Sequence, residues 1–145
     1  MHVLYLGIAR DIIATVLVDL VELGVLVFLV VDCDGAPSAD LVLQAVAMDF
    51  QAWRRKSGDS FMSLQLSMQK LNRDQGNKYP ELASSYKASV VKMLLLYIAD
   101  LTYRVQGDSA YLKVVATTCW GIADYVHCLS TAGFFLSDDE VARAK

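Results

Sequence analysis

Asp32 and Asp34 stand one residue apart after the apolar run Phe28–Val31, in the stretch Asp32-Cys33-Asp34-Gly35. Two carboxylates at such a junction could divide phosphoryl transfer between them, one as nucleophile and the other as general acid/base. Asp138-Asp139, which follow Phe134-Phe135-Leu136, could join Asp32 around a divalent metal ion. A calcium loop does not fit. Counted from Asp32, the positions that need a fifth and a twelfth ligand are Ala36 and Leu43, and Pro37 stands where glycine is required. His127 and Cys128 are neighbours, so on a helix they point about 100° apart and chelate poorly. His2 is too distant in sequence to suggest a local triad with His127, and no G-x-S-x-G, phosphate-binding or dinucleotide fingerprint is present.

The acidic opening looks like the first motif of haloacid-dehalogenase-type phosphatases, a hydrophobic strand followed by DxDG. That resemblance implies Asp32 as nucleophile, Asp34 as general acid/base, and Asp138-Asp139 in place of the late magnesium-binding pair. The rest of the chain departs from the family. It needs strands and helices alternating around a parallel sheet, whereas this chain offers one strand at most. Lys113 and Thr117 come in the wrong order for the remaining motifs, and Asp138-Asp139 sit in the capping-box pattern Ser137-x-x-Glu140 of a helix start. The expectation is therefore a chain that is not an enzyme, with no catalytic or metal-binding residue and no cofactor. The phosphatase stands as the alternative.

The elements that must position these residues are helical. The pattern predicts a first helix over Ile8–Leu23, with Gly24 at its C-cap. Val25–Val31 has the composition of a short buried strand or of a helix extension. A second helix follows Ser38 as N-cap, with Leu41, Ala45, Met48 and Ala52 on its apolar face and Trp53 beside them, and ends at Gly58 after Arg54-Arg55-Lys56. Phe61–Leu71 fits both periods, and its unbranched residues favour helix. Pro80 opens a helix with the stripe Val91, Leu94, Leu95, Ile98, Thr102 and Val105, closed by Gly107. Asp108 caps a last long helix with the line Leu112, Val115, Cys119, Ile122, Val126 and Leu129. The fold class is thus mostly α, a single helical domain of about five helices over residues 1–145, with room for one short strand near Val25–Val31.

Apolar residues make up 55% of the chain and charged residues 20%, which implies a heavily buried core or surface hidden against another body. Residues 1–50, 51–92 and 93–145 carry net charges of −6, +5 and −2. The basic middle could face nucleic acid through Arg54, Arg55 and Lys56, although no aromatic residues interleave with the bases as stacking platforms. Three cysteines, Cys33, Cys119 and Cys128, suit a reducing compartment, so the protein is expected to be intracellular, cytoplasmic or nuclear. Ile12–Val31 is the other alternative, a single membrane span. Its fifteen Leu, Ile, Val and Phe residues contribute roughly −5 to −9 kcal/mol to insertion and central Asp19 and Glu22 about +5 to +7. The polar stripe Asp11, Thr15, Asp19 and Glu22 on one face tips the balance to a buried helix.

The opening MHVLYLGIARDIIATVLVDLV resembles the MHxxxLG segment of transposon-encoded, ribonuclease-H-like transposases and protist genes derived from them, with His2, Leu6 and Gly7 at the fixed positions. YPELASSYKASVVKMLLLYIADL and VVATTCWGIADYVHCLSTAGFFLSDDEVARAK are similar to multicopy protist proteins of that kind. The resemblance implies a helical piece lying between catalytic elements. The family's acidic residue would lie before Met1 and its later catalytic residues beyond Lys145. The resulting expectation is a non-catalytic fragment of a larger, transposase-derived protein, acting as an interaction or scaffold module. It would associate with itself or with a flanking segment through Phe134, Phe135 and Leu136, not with a membrane.

Overall fold

A computed structural model of the chain describes residues 7–31, 35–56, 64–73 and 79–131. Among the described residues there are four α-helices: α1 (Ala9–Glu22), α2 (Ala39–Lys56), α3 (Ala88–Val105) and α4 (Ala110–Thr131). Among the described residues there is no strand, and the fold is all-α. Backbone packing divides the chain into two compact units, residues 1–97 and 98–145, with the boundary inside α3.

In the first unit, α1 buries Ile13, Leu17 and Leu20 completely, each side chain contributing about 1.5–3 kcal/mol by leaving water. The stripe that argued against a membrane span faces outward, with Asp11, Thr15 and Glu22 exposed and Asp19 partly so. None of the described helices is long and apolar enough to cross a membrane. Gly24, at φ +68°, lets the chain turn out of α1 in the left-handed region, and its N–H donates to the Val21 carbonyl at 3.0 Å.

Val25–Val31 does not become a strand. Val27–Leu29 is a 3-10 turn held by Leu29 N–H to Leu26 O and Val30 N–H to Val27 O, both 3.0 Å. A buried strand needs a neighbour for its backbone groups, and the short-range bonds of the turn satisfy them locally instead. Leu26 alone of the run is fully buried, while Phe28 and Val31 are 61% and 79% exposed. The turn and α1 both pack against α2.

Ser38 caps α2 as its sequence suggests, accepting the Leu41 N–H on Oγ at 3.2 Å. The buried face of α2 differs from the one expected. It is Val42, Leu43, Val46, Ala47, Phe50 and Arg54, while Met48 is 74% exposed and Ala52 lies outside. The β-branched and aromatic line Val42–Val46–Phe50 repeats every fourth residue and outweighs the alanine-rich line beside it. Phe50, Trp53 and Tyr97 then form an aromatic cluster, with Tyr97 edge-on to both rings at centroid distances of 5.3 and 5.8 Å. The Tyr97 hydroxyl donates to Asp49 Oδ2 at 2.8 Å.

The segment Leu64–Arg73 is irregular and ends in a turn, so the helix expected over Phe61–Leu71 is absent from its described part. Pro80 opens no helix either; residues 79–87 form a loop, and α3 starts only at Ala88. Arg10 explains the loop's course. Its guanidinium donates to the Leu82 carbonyl from Nε at 2.9 Å and also from Nη2, which draws residues 81–83 onto α1 before a helix can begin. In the second unit the cap of α4 is Ser109 rather than Asp108, accepting the Leu112 N–H at 3.3 Å. Leu112, Ala116, Cys119, Ala123 and Val126 are the buried line, with Val115, Ile122 and Leu129 at its border.

Candidate interaction surfaces

Asp32, Asp34, Asp138 and Asp139, and the apolar tripeptide Phe134, Phe135 and Leu136, lie outside the described residues. Among the described residues no group of three or more His, Cys, Asp or Glu side chains could hold a metal ion. Asp100 pairs with Arg104 at 2.9 Å one turn along α3. His127 is exposed.

The three bases at the end of α2 separate. Arg55 and Lys56 are exposed, whereas Arg54 turns inward to 5% exposure, its guanidinium carbon 5.8 Å from the centre of the Phe50 ring. Its Nε and Nη1 are buried with no hydrogen-bond partner. A run of three charges on a helix cannot all face one way, since successive residues turn by about 100°. The middle of the run and its end reach water, and the first is swept under the aromatic cluster.

Two grooves that sequence reasoning missed lie in the first unit. One, of about 630 Å³, runs between α2 and the irregular segment, lined by Gln44, Met48 and Gln51 on one side and Gln65, Gln69 and Lys70 on the other. The second, of about 570 Å³, shares Gln65 and Lys70 and continues to Tyr86 and Lys87. The spacing of seven between Gln44 and Gln51 was a visible signal, because it places both amides on one face of a helix. The Tyr86 hydroxyl donates to the Gln65 carbonyl between the grooves, and burial pushes its phenol above the usual 10.0.

The second unit exposes an unusually apolar helix face. Tyr111, Val114, Thr118, Gly121 and Tyr125 follow one another at alternating spacings of three and four along α4, and all are exposed. Trp120, at 62% exposure, belongs to another face of α4, nearer the buried line. It lines a hollow of about 250 Å³ with Tyr103, Gln106 and Thr117. On the opposite side of α4 the Cys119 thiol is raised by burial, an effect partly opposed by its hydrogen bond with Thr102. A buried thiol with a raised pKa is a poor nucleophile, so Cys119 packs rather than reacts.

No family model, curated protein or solved structure matches this chain. The surfaces themselves carry what can be said of function. What the described residues bring together is a pair of grooves lined by amides and bases, and an aromatic helix face.

Proposed function

We infer that the chain is a helical interaction module, without chemistry of its own, in a protein of transposase-derived lineage. The lineage rests on the resemblance of its opening and of two later stretches. The interaction reading is carried by the outer face of α4. Contiguous apolar surface of more than a few hundred Å² is unusual on a monomer and marks an interface. Tyr111, Val114 and Tyr125 are respectively 51%, 65% and 41% exposed, on a helix whose only charged residues are Lys113 and Asp124. Alternating spacings of three and four keep such a line on one side of a helix, as in the seam between paired helices.

The seam suits a second copy of the chain in antiparallel register about Thr118. Tyr111 of one copy then meets Tyr125 of the other, and the small Gly121 meets the Val114 side. Self-complementarity of this kind is what a two-fold dimer requires. Sedimentation velocity over a range of concentrations tests it. The weight-average coefficient should rise with concentration, and Val114→Asp should return it to the monomer value while leaving the circular dichroism unchanged. A monomer at every concentration would end the self-association reading.

A further inference from the structure

We propose that the Gln- and Lys-lined groove of the first unit is a docking site for an extended, acidic peptide segment of a partner protein. The site shares no residue with the outer face of α4. Its floor is the segment Leu64–Ser67, in which Leu64 and Leu66 are 7% and 3% exposed while Gln65 faces outward. Burial that alternates with a period of two belongs to extended backbone. Among the described residues, the N–H groups of Leu64, Gln65, Leu66 and Ser67 donate to no backbone carbonyl. A segment like this is the template to which an added peptide chain can pair through its main chain.

The walls match the same occupant. Gln44 and Gln69 present amides that both donate and accept, which is the hydrogen-bonding character of a peptide backbone. Met48, 74% exposed, offers an adaptable apolar contact for alternate side chains. Charge selects the class of peptide: Lys70 and Lys87 line the connected grooves, and among the described residues no carboxylate does. Single-stranded nucleic acid fits less well. Its bases need aromatic faces to stack on, and the single aromatic lining either groove among the described residues is Tyr86, whose hydroxyl is tied to Gln65.

The proposal is tested on the full chain by fluorescence anisotropy with four labelled probes. These are a short peptide alternating valine and glutamate, its lysine counterpart, the acidic peptide N-methylated at alternate amides, and an oligothymidylate of similar length. The acidic peptide should bind tightest, and added salt should weaken it. N-methylation should reduce its affinity at least about tenfold, because each blocked amide leaves a partner unpaired. The charge reversal Lys70→Glu/Lys87→Glu should do the same, with unchanged circular dichroism. Equal or tighter binding of the basic peptide, indifference to N-methylation, indifference to the charge reversal, or preference for the oligothymidylate would each overturn the assignment. Val114→Asp, which disrupts the α4 seam, should leave peptide binding intact, so the two interaction readings stand or fall separately.

Discussion

Replacing Arg10 by methionine should unfold the first unit at markedly lower denaturant. Arg10 is 7% exposed, and its Nε and Nη2 both donate to the Leu82 carbonyl, while the Leu82 N–H donates back to the Arg10 carbonyl at 3.4 Å. Leu82 itself is fully buried. Methionine keeps most of the aliphatic packing but leaves the Leu82 carbonyl without its charged donors, at a cost of about 2–3 kcal/mol. The contact with Glu81, 3.5 Å away with a half-exposed carboxylate, adds well under about 1 kcal/mol, because solvent screens it. With a urea slope of about 2 kcal/mol/M, the midpoint should fall by about 1–1.5 M. Trp53, partly buried in the first unit, reports this by fluorescence once Trp120 is changed to phenylalanine. Arg10→Lys, which keeps the charge but loses the planar fork, should fall between the two. If Arg10→Met shifts stability by less than about 0.5 kcal/mol, the range of neutral surface substitutions, the clamp does not hold the loop.

Three further outcomes follow from single residues. Arg54→Met should stabilise by about 1–2 kcal/mol in thermal or urea unfolding, because it removes a buried charge with two unpartnered nitrogens and gives up only a cation–π contact; a destabilised variant would show that the guanidinium is satisfied in solution. Gly24→Ala should lower Tm by about 2–4 °C, an effect of about 1 kcal/mol from its φ of +68° alone, since an added Cβ meets nothing within 4 Å. Stability should also fall at alkaline pH: the Cys119 thiol is raised from 9.0 in the fold, so its contribution is complete below that value and is lost as pH rises through the folded pKa. Urea midpoints across pH 8–10.5 (about two and a half units spanning the ordinary thiol pKa) check this, and Cys119→Ala should flatten the early part of the decline, leaving the later part that the raised Tyr86 phenol contributes.

How much of this was legible depended on whether a residue's role was decided locally. The end of α1 was, because glycine takes a left-handed φ at no steric cost and Gly24 directly follows an amphipathic repeat. So was Ser38, whose hydroxyl needs only the first turn of α2 to cap it. The start of α3 was not. Pro80 is compatible with a helix entry, but Arg10, seventy-two residues before Leu82, draws the following loop onto α1. No window around Pro80 contains that interaction. Val25–Val31 failed for the same reason in reverse: β-branched composition favours a strand only if another strand is there to pair with, and pairing is a property of the whole fold.

The interaction surfaces follow this division. The outer face of α4 was open to reading, since the spacing of Tyr111, Val114, Thr118, Gly121 and Tyr125 is written within one helix. The buried line on the other side of the same helix carries the stronger apolar signal. The groove is of the other kind. Gln44 and Gln51 belong to α2, and Gln65 and Gln69 to a segment whose position depends on the Asp40 carboxylate accepting the Met68 N–H at 2.7 Å. The alternation of Leu64 and Leu66 with Gln65 marks a short run of extended backbone, and helix propensity argued against it. Both signals were real, but such a segment can serve as a docking edge only where its main chain is left open, and among the described residues the N–H groups of Leu64 to Ser67 donate to no backbone carbonyl. That is why the amide side chains opposite, which carry no charge and form no motif, acquire a meaning that composition alone does not give them.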